Sequence, residues 1–187
     1  MQITTERLIL RKAKKTDWQD ILEGFSEYDV VKMTGAPHPY KKKDADLYIS
    51  NAIAKWGKRS YYFFIQLKAE KKVIGVVELT GISSFDGTAS TASWINKKYW
   101  RQGYVAEAKI AINDFAFYKL KLRRLGSGVF ATNKASNATQ QKMGYVLEGV
   151  KRRCLKNRTT GKIHDVNMYG LLKENWKKAR IKLLKKE

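Results

Sequence analysis

Trp100-Arg101-Gln102-Gly103-Tyr104-Val105-Ala106-Glu107-Ala108 lies between two stretches of different character. Before it, Ala92-Ser93-Trp94-Ile95-Asn96 reads as the end of a strand. After it, the residues from Tyr104 to Lys119 read as a helix, with Ile110, Ile112, Phe115, Ala116 and Leu120 facing a core. The stretch is therefore a strand, a short glycine loop and a helix N-terminus. Such a junction presents unpaired backbone N–H groups and the positive end of the helix dipole. That combination suits a phosphate. Taken alone, it also fits an ordinary helix start after a glycine turn.

Upstream, residues 3–12 alternate as one strand, and Thr16-Asp17 offers a cap for a helix bearing Trp18, Ile21, Leu22 and Phe25 on one face. Residues 35–40 form a loop that holds both prolines. A second helix starts near Lys43-Asp44 and ends at Gly57, with Ala45, Leu47, Tyr48, Ile49, Ala52, Ile53 and Trp56 in its apolar stripe. Strands follow at 61–67, 73–80 and 88–95. Downstream come a strand over 125–132, a short helix over 136–143, strands over 145–155 and 163–171, and a basic tail helix over 172–187. Strands with helices inserted among them predict a mixed α/β (α+β) fold around a largely antiparallel sheet of about seven strands, in a single domain over 1–187.

Composition sets the limits. The chain has 187 residues, 43% of them hydrophobic, enough for a sizeable core. A single cysteine, Cys154, excludes an intramolecular disulfide and is compatible with a reducing compartment. The start shows no signal-peptide pattern, and no apolar run nears the roughly 20 residues of a membrane span. The expectation is a cytoplasmic protein with no membrane partner. Its net charge of +21 suits polyanions such as RNA or the ribosome, and fits merely solvated lysine-rich faces as well. His38 and His164 stand far apart, so no metal signature is present.

Four pieces together resemble the GNAT superfamily of acetyl-coenzyme A-dependent N-acetyltransferases, and within it the branch that acetylates the N-termini of ribosomal proteins. They are Thr5-Glu6-Arg7-Leu8-Ile9-Leu10-Arg11; Trp100 to Ala108; Asn133-Lys134-Ala135-Ser136 followed by Lys142-Met143-Gly144-Tyr145-Val146-Leu147-Glu148-Gly149; and Asp165, Tyr169 and Lys173-Glu174-Asn175-Trp176. The resemblance implies a sheet splayed between its fourth and fifth strands, here 88–95 and 125–132, with acetyl-coenzyme A in the gap. It implies a protein N-terminus as acceptor. Four departures stand out: Arg101 replaces a usual Gly, Val105 a usual Ala, Gln141 a usual Glu, and Ser90 a glutamate that serves elsewhere as a base candidate.

The resemblance assigns cofactor binding to the backbone of Trp94, Ile95 and Asn96, to the loop residues Arg101, Gln102, Gly103, Tyr104, Val105 and Ala106, and to Asn133 and Ser136. Ser136 is the expected donor to the leaving thiolate, with Tyr145 as the alternative; a helix cap and a core aromatic are their plain structural readings. Glu78, isolated in an apolar strand, is the candidate base, since burial would raise its pKa. Glu107 in the first helical turn reads as a dipole or salt-bridge residue. Tyr40 and Trp56 are candidates for the acceptor pocket. The alternatives are acetylation of a small amine such as a polyamine or aminoglycoside, and a non-catalytic nucleic-acid-binding module. The chain is expected to be a monomer or a homodimer.

Overall fold

The computed structural model describes residues 1–185. The strands form one sheet of eight, ordered β1-β2-β3-β4-β5-β6-β8-β7. The run expected as one strand over 3–12 is a hairpin of β1 (Gln2–Thr4) and β2 (Leu8–Arg11), with Gln2 opposite Arg11. Thr5 makes the turn: its N–H donates to the Leu8 carbonyl and its hydroxyl accepts from the Leu8 N–H. This hairpin raises the count from about seven strands to eight. A helix that no apolar pattern announces, α2 (Tyr28–Thr34), follows α1 (Trp18–Ser26) and precedes α3 (Lys42–Lys55).

Strands β3 (Tyr61–Leu67), β4 (Val73–Ser83) and β5 (Thr88–Ile95) continue the antiparallel ladder. The next pair decides the architecture. Strand β6 (Arg124–Phe130) runs parallel to β5 and pairs with it only at Thr88↔Arg124, Ala89↔Leu125 and Ser90↔Gly126. Beyond that point β5 stays with β4, as far as Ile95 opposite Gly75. Meanwhile β6 follows β8 (Ile163–Leu172), as far as Phe130 opposite Val166. The sheet splits there, between the strands where the resemblance implies it.

Each face of the sheet is covered. On one face lie α4 (Tyr104–Asp114), the π-helical turn Phe115–Lys119 and α6 (Lys173–Leu184), burying Phe63, Ile74, Leu79, Ile112, Leu125 and Trp176. Asp114 ties α4 to α6 by accepting from Trp176 Nε1 at 2.9 Å and Arg180 Nε at 2.8 Å. On the other face α1, α2 and α3 bury Ile21, Phe25, Val31, Ile49, Phe64, Val76 and Trp94. Burial of each such side chain contributes about 1.5–3 kcal/mol. Gly24 of α1 lets the Trp94 ring lie flat against the helix, since a Cβ there would sit 2.5 Å from it. Strand β7 (Val146–Lys156) is the outer edge and is exposed along its whole length; Lys151, Arg152, Arg153 and Lys156 charge that edge, which discourages pairing with another sheet.

Candidate active site

The glycine loop is shaped by its backbone and fastened from a distance. After β5, Asn96 Oδ1 accepts from the Lys98 N–H and starts the turn Lys97–Tyr99. Trp100 Nε1 then donates to the Ile95 carbonyl at 2.8 Å. Arg101 at φ +61° and Gly103 at φ +82° both take the left-handed region, so Arg101 keeps the conformation that a glycine there would adopt. Helix α4 starts at Tyr104 with no side-chain cap, and its first intrahelical acceptor is the Gly103 carbonyl, bonded by the Glu107 N–H. The N–H groups of Tyr104, Val105 and Ala106 therefore remain open at the positive end of the helix.

Glu107 holds this geometry. One oxygen accepts from the Arg7 N–H (2.9 Å) and the Thr5 hydroxyl, the other from Arg7 Nε (2.7 Å). Arg7 also donates to the Gln102 carbonyl (3.0 Å), and its guanidinium lies 4.5 Å from the centre of the Tyr104 ring. Burial pushes the Glu107 carboxyl up, but the Thr5 and Arg7 hydrogen bonds outweigh it and hold the group below the ordinary carboxylate range. The expected salt-bridge role of Glu107 is thus realised with the hairpin turn.

A cleft of about 1350 Å³ runs through the split in the sheet. Arg101, Gly103, Tyr104, Val105 and Ala106 line one end. Asn133, Ser136, Val129 and Phe130 line the wall beside it. Asn133 caps α5 (Lys134–Lys142), its Oδ1 accepting from the Ser136 N–H at 3.1 Å, which leaves the Ser136 hydroxyl uncommitted to the cap. Strand alternation fixes which backbone groups of β5 face the gap. Asn96 N–H donates to the Ile74 carbonyl (2.8 Å), so Asn96 and Trp94 turn their amides toward β4, and Ser93 and Ile95 turn theirs toward the gap. The Ser93 and Ile95 N–H groups at this edge can pair with an extended, amide-bearing chain, while the Ile95 carbonyl is taken by Trp100.

On the α1–α3 side the cleft is lined by Phe25, Tyr40, Tyr48 and Glu78. Glu78 accepts from the Tyr48 hydroxyl at 2.7 Å, and Trp94 Nε1 donates to the same hydroxyl at 3.4 Å. Burial raises the Glu78 pKa, and the Tyr48 hydrogen bond offsets only part of that rise. Burial and the neighbouring Glu78 likewise push the Tyr48 hydroxyl up. The Tyr40 ring packs 4.7 Å from that of Phe25.

Several expected residues lie elsewhere. Trp94 lines the cleft, but the strand alternation turns its backbone amide toward β4, and its ring packs 4.1 Å from that of Phe25. Asn96 is buried and spent on the turn and on Glu23. Gln102 is off the cleft wall; its side chain donates to the Lys98 carbonyl. Tyr145 is core: 4% exposed, its hydroxyl 3.0 Å from Thr91 Oγ1, and burial pushes its pKa further up. Trp56 packs against Tyr61 and Phe63 in the core of the opposite sheet face, away from the cleft. Two cleft residues carry no motif. Tyr48 is hidden in the apolar stripe of α3. Lys109 is 4% exposed on α4, and a lysine spaced three and seven residues before the buried Ile112 and Ala116 is the one sign of its position.

Residues 7–146 match the family described as Acetyltransferase (GNAT) domain. The chain belongs to the GNAT acetyltransferases. It is 29% identical over 172 residues to the uncharacterized N-acetyltransferase YoaA of Bacillus subtilis, covering 91% of this chain and 96% of that one. It is 27% identical over 114 residues to the ribosomal-protein-serine acetyltransferase of Escherichia coli, covering 60% of this chain and 62% of that one. A solved GNAT-family acetyltransferase of Bacillus anthracis superposes with a TM-score of 0.81 at 25% identity, covering 93% of this chain and 99% of that one. The chain is accordingly an acetyl-CoA-dependent N-acetyltransferase, and the donor chemistry fits the geometry. The open N–H groups of α4 and Arg101 would hold the pyrophosphate, and the free β5 edge would hold the pantetheine amides. Among the described residues no helix could cross a membrane, and no group of three or more His, Cys, Asp or Glu could hold a metal ion.

Proposed function

We propose that the protein transfers the acetyl group directly, in a ternary complex, to the N-terminal α-amine of a protein, with ribosomal proteins as the first class to test. The observation that carries this reading is the Glu78–Tyr48 pair facing the cleft across the sheet from α4. An α-amine has an ordinary pKa of about 7.7–8.0 and must lose a proton before it attacks. Glu78, with its raised pKa, takes that proton directly or through water. Tyr48 holds the carboxylate in place, and Tyr40 and Phe25 form an apolar wall for the first acceptor side chain. The Ser93 and Ile95 N–H groups are the proposed donors to the developing oxyanion. Ser136 is the proposed hydrogen-bond donor to the departing sulfur, and Asn133 holds the wall that carries it. The ribosomal-protein acetyltransferase among the relatives and the charge of +21 support a ribosomal acceptor.

A small cationic amine is the second reading. Asp44 lines the same side of the cleft as Glu78, giving a local acidic wall despite the basic chain. A mass-spectrometric assay separates the two. Peptides with free N-termini, the same peptides with blocked N-termini, and polyamines or aminoglycosides are offered together. The expected outcome is acetylation of free N-termini alone. Acetylation confined to the small amines would replace the first reading by the second.

A further inference from the structure

Lys109 is a buried cation with no role in the reaction as described so far. It projects from α4 into the closed depth of the cleft. Its one hydrogen bond is a long one, Nζ to Gln140 Oε1 at 3.4 Å. Gln140 is held in turn: its Nε2 donates to Ser127 Oγ at 2.8 Å, and Ser127 donates to the Thr91 carbonyl at 3.2 Å. Thr91 and Ser127 lie immediately past the last β5–β6 pair, so this network sits where the two strands begin to part. Among the described residues no carboxylate pairs with Lys109. The titratable group facing it is Tyr145, whose ring centre is 5.8 Å from Nζ; Lys134 and Lys142 of α5 line the same cleft. A buried ammonium is costly unless a partner of opposite charge arrives.

The position in the fold says which partner. Gln140 is four residues after Ser136, so the two share one face of α5. Lys109 thus bonds a residue one helical turn along α5 from Ser136, and lies six residues along α4 from Gly103, or roughly 9 Å of rise. A coenzyme A anchored by its pyrophosphate at the start of α4 points its thiol end into this depth. Glu78 belongs to the opposite face of the sheet, so the split carries a carboxylate on the acceptor side and a cation behind it.

We propose that Lys109 stabilises the coenzyme A thiolate as it departs, as the buried cation that pairs with it. This inference rests on the cleft being the acetyl-CoA site. When the carbon–sulfur bond breaks, its electron pair goes to sulfur. The Lys109 ammonium keeps its proton and pairs with that thiolate, and the sulfur takes a proton from water as product leaves. The proton lost by the acceptor nitrogen goes to Glu78. Burial lowers the Lys109 pKa to about 8, so the ammonium present at neutral pH gains most from an anionic partner.

The test is titration of bound coenzyme A, followed by the ultraviolet absorbance of its thiolate, in wild type and in Lys109→Met. In wild type the bound thiol should ionise about one pH unit below free coenzyme A, a tenfold gain in thiolate. In Lys109→Met the shift should vanish, while acetyl-CoA affinity by calorimetry stays within about threefold, since the thioester carries no charge. Should that variant misfold, the lysine side-chain resonance of the wild type decides: its pKa should rise when coenzyme A is added and not when acetyl-CoA is added. Equal thiol ionisation in both proteins, or a Lys109 resonance indifferent to coenzyme A, would overturn the proposal. Failure of the wild type to bind coenzyme A at all would overturn it together with the cleft assignment.

Discussion

The two ends of the cleft are built by different means. At the α4 end, the groups proposed to meet the cofactor are backbone amides within a few residues of one another, set by two left-handed residues and a helix start. Side chains act there as fasteners: Glu107 and Arg7 lock the loop to the first hairpin. At the α1–α3 end the order is reversed. Glu78 and Tyr48 are 30 residues apart, on a strand and a helix, and meet only because α3 packs across β3 and β4. In the proposed function the backbone end recognises the donor, which is common to every substrate pair. The side-chain end is proposed to carry the proton chemistry and to discriminate acceptors without disturbing the donor.

If that contrast holds, substitutions at one end should spare the other. The largest effect is expected for Glu78→Gln. It should lower kcat by roughly 10²–10⁴-fold while leaving acetyl-CoA affinity unchanged. In wild type the rate should fall as pH drops through the raised Glu78 pKa, because only the carboxylate accepts a proton; the variant's profile should lose that acid limb. Gly103→Val attacks the other end. Gly103 sits at φ +82°, and a side chain there meets Arg7. Strain of about 1–3 kcal/mol should distort the nest and weaken acetyl-CoA by roughly 10- to 100-fold. A calorimetric affinity equal to wild type would show that the phosphate is held elsewhere.

Tyr48→Phe is a finer probe of the side-chain end. The Tyr48 hydrogen bond lowers the Glu78 pKa, so its loss should move the acid limb of kcat/KM to higher pH. An unmoved limb would separate Tyr48 from the base. Arg101→Gly is the smallest. Relief of the left-handed strain, about 1 kcal/mol, is offset by the added flexibility of glycine, so Tm should barely change. Acetyl-CoA should bind a few-fold more weakly, and with less salt dependence, as one charge is lost from the phosphate.

The same contrast explains what could be read from the chain alone. The strand, loop and helix of Trp94–Lys119 are contiguous, so their local pattern reports the nest directly. Glu78 was legible because a lone carboxylate in an apolar strand asks for a reason. Tyr48 was not, since an aromatic in a helical stripe is ordinary core until a carboxylate is packed against it. Trp56 and Tyr145 were read as site residues because aromatics near motifs look available, yet both fill the core of the face opposite Glu78. The hairpin at Thr5 was missed because an alternating run gives no sign of folding back unless its turn chemistry is weighed. The amides of Trp94 and Asn96 face β4 and those of Ser93 and Ile95 face the gap, because in a strand a single step turns every amide to the other edge.

The most direct test is transfer itself. Wild-type protein, acetyl-CoA and peptides with free or blocked N-termini are incubated and the products read by mass spectrometry, with Glu78→Gln alongside. The account predicts one acetyl group on the α-amine of free peptides, none on blocked ones, and loss of the product in the variant with cofactor binding intact. Acetyl-CoA binding with full transfer by Glu78→Gln, or no transfer to any α-amine by the wild type, would contradict it.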